Sequence, residues 1–96
     1  MTLATIHCER ENAFLVAEMG GDDFWIGASD ENVEGTFAWD DGSDIGYTNW
    51  NDGEPNNSAG NEHCVATTPG GGWNDLNCEN SRKFVCKHVL MTLWLI

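Results

Sequence analysis

The sequence predicts a small α+β domain, rich in loops, with short antiparallel strands and one helix. Three observations point there. Only one stretch, Glu9 to Met19, reads as a helix; the other apolar runs are short; and Asp40 to Gly60 is dominated by Gly, Asn, Asp, Ser and Pro. Short runs bounded by turn residues build small sheets. A long structureless loop in a compact domain is usually functional or disordered. At 96 residues the chain suffices for one domain with a marginal core.

In chain order, Leu3 to Ile6 reads as a short strand. In the helix that follows, Ala13, Phe14 and Ala17, with the nearby Val16, lie on or near one face. Glu9 and Glu11 favour its first turn, and Gly20-Gly21 can end it. Phe24-Trp25-Ile26 is a continuous apolar run and reads as a buried strand. Thr36 to Trp39 alternates and reads as another, closed by the turn signal Asp41-Gly42. Cys64 to Thr67 and Lys83 to His88 supply further strands, with Gly70-Gly71-Gly72 and Trp73-Asn74-Asp75 between them. Val89 to Ile96 is almost wholly apolar, yet far short of the roughly 20 residues that span a bilayer. It reads equally as the start of an anchor, a packed terminal strand or a tail set by a gene boundary.

The charge is unusual. Sixteen Asp and Glu stand against four Lys and Arg, a formal net charge of -12. Between Arg10 and Arg82 there is no Lys or Arg, and fifteen of the acids fall in that interval. Such a segment repels itself. A disordered acidic tract would be poor in aromatics, whereas Trp25, Trp39, Trp50 and Trp73 lie inside this one. An acidic segment that also builds a core suggests a bound cation. Nucleic acid is excluded as a partner, because no basic patch exists to neutralise phosphates.

Cys8, Cys64, Cys78 and Cys86 allow three pairings and form no C-x-x-C motif. An even count in a short chain favours disulfides and an oxidising compartment over a structural zinc site. Thr2 to Ile6 is too short for the apolar core of a signal peptide, so the chain reads as a piece of something larger.

The cation has candidate ligands. Glu54, Asn56, Glu62, Asn74 and Asp75 offer three carboxylates and two amide carbonyls, all hard oxygen donors suited to calcium. Without a metal the three carboxylates would repel. Glu54 and Asn56 are two apart, so an extended segment points both the same way. Taken singly, each of these residues more often supplies turn chemistry. Their combination in an acid-rich segment without a compensating base is the stronger signal.

At these residues the sequence resembles a C-type lectin domain over residues 3 to 87. Leu3-Ala4-Thr5-Ile6 is similar to the family's strand after its first helix, and Phe24-Trp25-Ile26-Gly27 to its core Trp-Ile-Gly strand. Glu54-Pro55-Asn56 is similar to the specificity triplet of the mannose-type branch. Glu62, two before Cys64, and Trp73-Asn74-Asp75, three before Cys78, complete the pattern. The resemblance implies a C-type lectin-like fold over residues 1–88 that lacks the family's first strand and helix, with 89–96 as an apolar tail. It implies a principal Ca²⁺ site of Glu54, Asn56, Glu62, Asn74 and Asp75. There two vicinal sugar hydroxyls complete the shell and hydrogen-bond Glu54, Asn56, Glu62 and Asn74.

Glu-Pro-Asn implies mannose, N-acetylglucosamine, glucose or fucose, with galactose disfavoured. Asp30, Glu34 and Asn57 match a second calcium site, where His63 replaces the usual acid; neutral imidazole is a poor calcium ligand, and the plain alternative is a surface histidine. Cys64 and Cys78 match a family disulfide, while Cys86 is left unpaired or paired unusually with Cys8. The resemblance further implies a secreted protein, or the outer face of a membrane protein anchored through a missing segment, with a place in innate immunity. Several copies would be needed for avidity.

Asn56-Asn57-Ser58 is a glycosylation sequon that would block the site, so it is expected to be unused if calcium binds. A glycosidase reading would need two free carboxyls roughly 5 to 9.5 Å apart, and the calcium site engages these acids; no catalytic triad or phosphate loop is evident, so no enzyme is expected. The remaining alternative is a lectin-like domain that binds a protein or an ice surface.

Overall fold

The computed structural model describes residues 2–57, 60–88 and 93–95. The elements are β1 (Thr2–Leu3), α1 (Glu9–Glu18), β2 (Phe24–Ser29), β3 (Ala38–Trp39), β4 (Cys64–Thr67), β5 (Trp73–Leu76), β6 (Lys83–Phe84), β7 (Cys86–His88) and β8 (Leu93–Leu95). They form two sheets. The smaller runs β1-β7-β8, all antiparallel. The larger runs β3-β2-β4-β5, with β6 parallel to β2. Of the apolar stretch Val89 to Ile96, only 93–95 is described, as β8; the rest, and Ser58 of the sequon, lie outside the described residues.

The sheets meet at Ala4, whose N–H donates to Val85 O at 2.7 Å and whose carbonyl accepts from Gly27 N–H at 2.8 Å. The strand expected over Leu3 to Ile6 is therefore only Thr2–Leu3; beyond it the chain turns its hydrogen bonds to other partners while Ala4, Thr5 and Ile6 stay fully buried. Gly27 is required by this crossing. A Cβ there would sit 2.7 Å from Leu3 O, closer than real Cβ contacts allow. Likewise the strand expected over Thr36 to Trp39 is reduced to Ala38–Trp39, and Lys83 to His88 divides at Val85 into β6 and β7.

Helix α1 forms where expected, but it buries a different face. Its buried stripe is Asn12, Leu15 and Met19, with Val16 packed beside it. Ala13 and Ala17 are exposed, and Phe14 is 48% exposed. The true stripe follows the i, i+3, i+7 spacing of an amphipathic helix, and the polar Asn12 within it disguises it. Asn12 earns burial by hydrogen bonding: its Oδ1 accepts from the Trp73 indole N–H at 2.9 Å, and its Nδ2 donates to Gly71 O at 2.9 Å. The helix opens with Glu11 Oε1 accepting from His7 N–H at 2.7 Å, and ends where Gly20 and Gly21 take positive φ.

Trp73 is the centre of the core. Its fully buried indole makes edge-on contacts with Trp39, Tyr47 and Trp50, at centroid distances of 5.9, 5.7 and 5.8 Å. Such pairs contribute beyond their buried area. Two of these rings come from the long loop, so the loop is anchored at its base. Backbone bonds reinforce this: Trp73 N–H to Asn49 O at 2.8 Å and Asn51 N–H to Trp73 O at 3.0 Å. Cys64 and Cys78 form a disulfide across 14 residues, tying the start of β4 to the turn after β5. Cys8 and Cys86 are free thiols.

Asn12→Leu keeps the branched shape, adds some volume and leaves the Trp73 indole N–H buried without an acceptor. The expected cost is about 1–3 kcal/mol, measured as a lower urea midpoint with an unchanged slope.

Candidate functional site

The far ends of β2, β4 and β5 and the long loop converge on one buried carboxylate. Asp75 is the third residue of β5, opposite Val65 of β4, and is 2% exposed. Its Oδ1 accepts from Asn56 N–H at 3.0 Å and its Oδ2 from Asn57 N–H at 2.7 Å. The loop crest is thus hung on the sheet by one side chain. Asn57 has φ of 46°, a left-handed conformation that Asn tolerates better than most residues. The Glu54-Pro55 peptide is cis.

Of the five residues expected at the principal site, Asn56 is tied to both Asp75 and Glu54, while Glu62 is tied to the loop crest through its backbone. Asn56 Nδ2 donates to Glu54 Oε2 at 3.4 Å, so the two side chains share one side of the loop. Glu62 is held nearby through its N–H, which donates to Asn57 Oδ1 at 2.9 Å, and its charge is felt at Glu54. Asn74 is placed differently. It precedes Asp75 in an extended strand, so the two side chains leave opposite faces. Its Oδ1 accepts from Asn51 Nδ2 at 2.8 Å. Asn51 was not expected in the site, and its side chain fits only because residue 72 is glycine; a Cβ at Gly72 would overlap it.

Electrostatics mark the same place. Glu54 has its carboxyl pKa raised, first by burial, then by a hydrogen bond to Asp75 that only its protonated form can make, then by the charges of Asp75 and Glu62. Glu54 Oε1 is buried and has no hydrogen-bond partner among the described residues.

A second cluster adjoins the first. Asp30, just past β2, is 2% exposed, and its N–H bonds His63 O at 3.1 Å, which aligns it with the start of β4. His63 Nδ1 lies 2.9 Å from Asp30 Oδ1 and 3.3 Å from Glu34 Oε1. Asp30 Oδ2 accepts from Gly35 N–H at 2.9 Å, and Asn57 Nδ2 donates to Glu34 Oε2 at 3.0 Å. His63 is therefore not a free surface residue. Its pKa is raised, chiefly by the Asp30 hydrogen bond, against some opposing desolvation. Glu34 is also raised, by desolvation and by its hydrogen bond and charge interaction with Asp30. The resemblance places these three at one site; the structure adds that His63, 33 residues from Asp30 in the chain, bonds it directly.

Residues 2–88 match the family described as Lectin C-type domain. The chain belongs to that family. It is 47% identical over 78 residues to the low affinity immunoglobulin epsilon Fc receptor of Mus musculus, covering 81% of this chain and 24% of the receptor. The carbohydrate-recognition domain of cow CD23, solved in the presence of a GlcNAc2Man3 oligosaccharide, matches with a TM-score of 0.76 and 36% identity, over 85% of this chain and 62% of that one. A calcium-independent type II antifreeze protein matches with a TM-score of 0.79 and 30% identity, over 88% and 65%. The chain spans under two thirds of the length of the curated relatives it matches, from 24% of the mouse receptor to 59% of perlucin of Haliotis laevigata. The one helix, small sheets and extensive loops are those of a C-type lectin domain. Its relatives here are lectins and receptors, not enzymes. No helix among the described residues is long and apolar enough to cross a membrane.

C-type lectin domains commonly use Ca²⁺, and the residues around Asp75 suit it: every donor is oxygen, and the buried Glu54 Oε1 has no partner among the described residues. The residues around Asp30 suit it less, because an imidazole nitrogen occupies the centre and the Asn57 amide turns its nitrogen, not its oxygen, toward Glu34.

The sign of the Glu54 effect is testable. Its carboxylate form is disfavoured in the fold, so the penalty is absent below its ordinary value of 4.5 and complete above the raised one. Glu54→Gln should therefore raise the melting temperature of the calcium-free protein at pH 7, by about 1–4 °C for a fraction of a kcal/mol in a domain this size. At pH 4 the variant and the parent should melt together.

Proposed function

We propose that this domain binds carbohydrate in a calcium-dependent manner, with preference for mannose, N-acetylglucosamine, glucose or fucose. The observation that carries the reading is Asn56, tied through its N–H to the buried Asp75 and through its amide to Glu54, beside a buried Glu54 oxygen that has no partner among the described residues. Glu54, Asn56, Glu62 and Asp75 would hold the ion, and Asn74 would join them only by leaving Asn51 and turning its amide round the strand toward the metal. Bound Ca²⁺ would supply a Lewis-acidic point for two vicinal hydroxyls.

The side chains do the rest. Carboxylate oxygens of Glu54 and Glu62 accept hydroxyl protons, and the amides of Asn56 and Asn74 donate to hydroxyl oxygens. Charge-assisted bonds of this kind are stronger than neutral ones. The oligosaccharide present with cow CD23 supports a glycan of the same class. The domain would act outside the cell, secreted or displayed on a membrane protein. A shallow single-sugar contact would need several copies for avidity.

The test is a glycan array run with calcium and with EGTA. Retention of mannose-type glycans only with calcium supports the proposal. Asn56→Ala and Asp75→Ala should each abolish that retention while the Cys64–Cys78 disulfide persists. Binding that survives EGTA would remove the reading.

The sharp similarity to a calcium-independent antifreeze protein favours a second reading, a surface that binds ice or protein. Ice-recrystallisation inhibition with no glycan signal would select it.

Calcium affinity should also fall with acid. The metal binds the carboxylate form, and the Glu54 carboxyl pKa is raised from its ordinary value. Calorimetric titration at pH 7.5 and pH 5 should show weaker binding at the lower pH.

A further inference from the structure

The trio Asp30, Glu34 and His63 has donor chemistry that calcium does not explain. The His63 Nδ1, an Asp30 oxygen and a Glu34 oxygen all lie within 4.8 Å of one another. The two nitrogen–oxygen separations are 2.9 and 3.3 Å. Donors bound to one ion at about 2.0–2.2 Å stand roughly 3–3.5 Å apart in octahedral or tetrahedral arrangements. Two of the three donor separations thus fall in the range that a shared ion would impose, which is also that of the direct His63–carboxylate contacts. Calcium would also accept such spacing, so the donor type decides. Calcium takes oxygen, whereas an imidazole nitrogen favours zinc and neighbouring transition ions.

The surroundings hold the donors in place. Asp30 is almost fully buried, and its second oxygen is fixed by Gly35 N–H. Glu34's second oxygen is fixed by the Asn57 amide. Supporting hydrogen bonds of this kind orient ligands and strengthen metal sites. His63 and Glu34 remain partly exposed, at 31% and 56% of their side chains, which leaves an entry path and room for water ligands. Three protein donors with open positions is a familiar zinc arrangement.

We propose that Asp30, Glu34 and His63 form a site for a divalent transition ion, Zn²⁺ in the first instance, in place of a second calcium. The site is separate from the Asp75 cluster but is joined to it through Asn57. That residue's amide nitrogen reaches Glu34, its amide oxygen holds Glu62 N–H, and its backbone N–H bonds Asp75. Zinc at the trio would therefore steady the loop that carries Glu54 and Asn56.

The experiment is a zinc titration of the whole chain by calorimetry, with Cys8 and Cys86 alkylated, in the absence of calcium and in saturating calcium. One zinc per chain should bind even in saturating calcium. His63→Asp should weaken zinc by more than about 100-fold, exceeding the 10- to 100-fold cost of disturbing a ligand's support. The same variant should gain a second calcium. A Co²⁺ absorption spectrum and the His63 ring-nitrogen NMR shifts of the unsubstituted protein give an independent reading should the variant fail to fold. Absence of zinc binding in saturating calcium would overturn the proposal. So would undiminished zinc binding by His63→Asp, or unmoved His63 resonances. Failure of the Asp75 cluster to bind calcium would appear separately, as no calcium uptake by the parent protein.

Discussion

The loop that carries the chemistry depends on one buried anion. Asp75 sits at the end of a strand whose first residue, Trp73, is the centre of the core. Fixing Trp73 fixes Asp75 two residues on, on the same face of the strand. Both oxygens of Asp75 are then spent on backbone N–H groups of the loop crest. Hydrogen bonds to a charged acceptor are stronger than neutral ones, about 1.5–3 kcal/mol each. Losing that carboxylate would free residues 56 and 57 together, which is why the candidate site and the hydrophobic core cannot be treated as separate parts.

The loop follows a division of labour set by its composition. Its aromatics, Tyr47 and Trp50, pack on Trp73 at the base, while its Asn, Glu and Gly residues form the crest. Stability is supplied at one end so that the other can hold mutually repelling carboxylates. The Glu54 carboxyl pKa is raised first by burial and a hydrogen bond to Asp75, then by the charges of Asp75 and Glu62, so its ionised form is disfavoured there. A cation removes that cost, so ligand-dependent order is a property of the charge arrangement.

Much of this was legible from residue types. The helix position and the Phe24 strand follow from periodicity, and the oxygen donors Glu54, Asn56, Glu62, Asn74 and Asp75 are proposed on hard-donor chemistry. Three things were hidden. The buried face of α1 was missed because Asn12, a polar residue, takes a core position to satisfy the Trp73 indole and Gly71. The partner of Asn74 was missed because Asn51 reaches it only through space left by Gly72. The direct contacts of His63 are the third: the resemblance places Asp30, Glu34 and His63 at one site, but only the backbone pairing between residues 30 and 63 brings the imidazole against both acids.

That last case bears on how such domains diverge. A position next to β4 that faces two carboxylates will be occupied by something positive: an ion, a proton or a cationic side chain. Placing His63 there puts a nitrogen within 3.3 Å of both acids, and a nitrogen donor changes which ions the pocket can prefer without altering the fold. Because Asn57 touches both clusters, whatever fills the Asp30 pocket biases the geometry of the Asp75 site. One substitution of donor chemistry can therefore retune the neighbouring site while leaving every residue in that site unchanged.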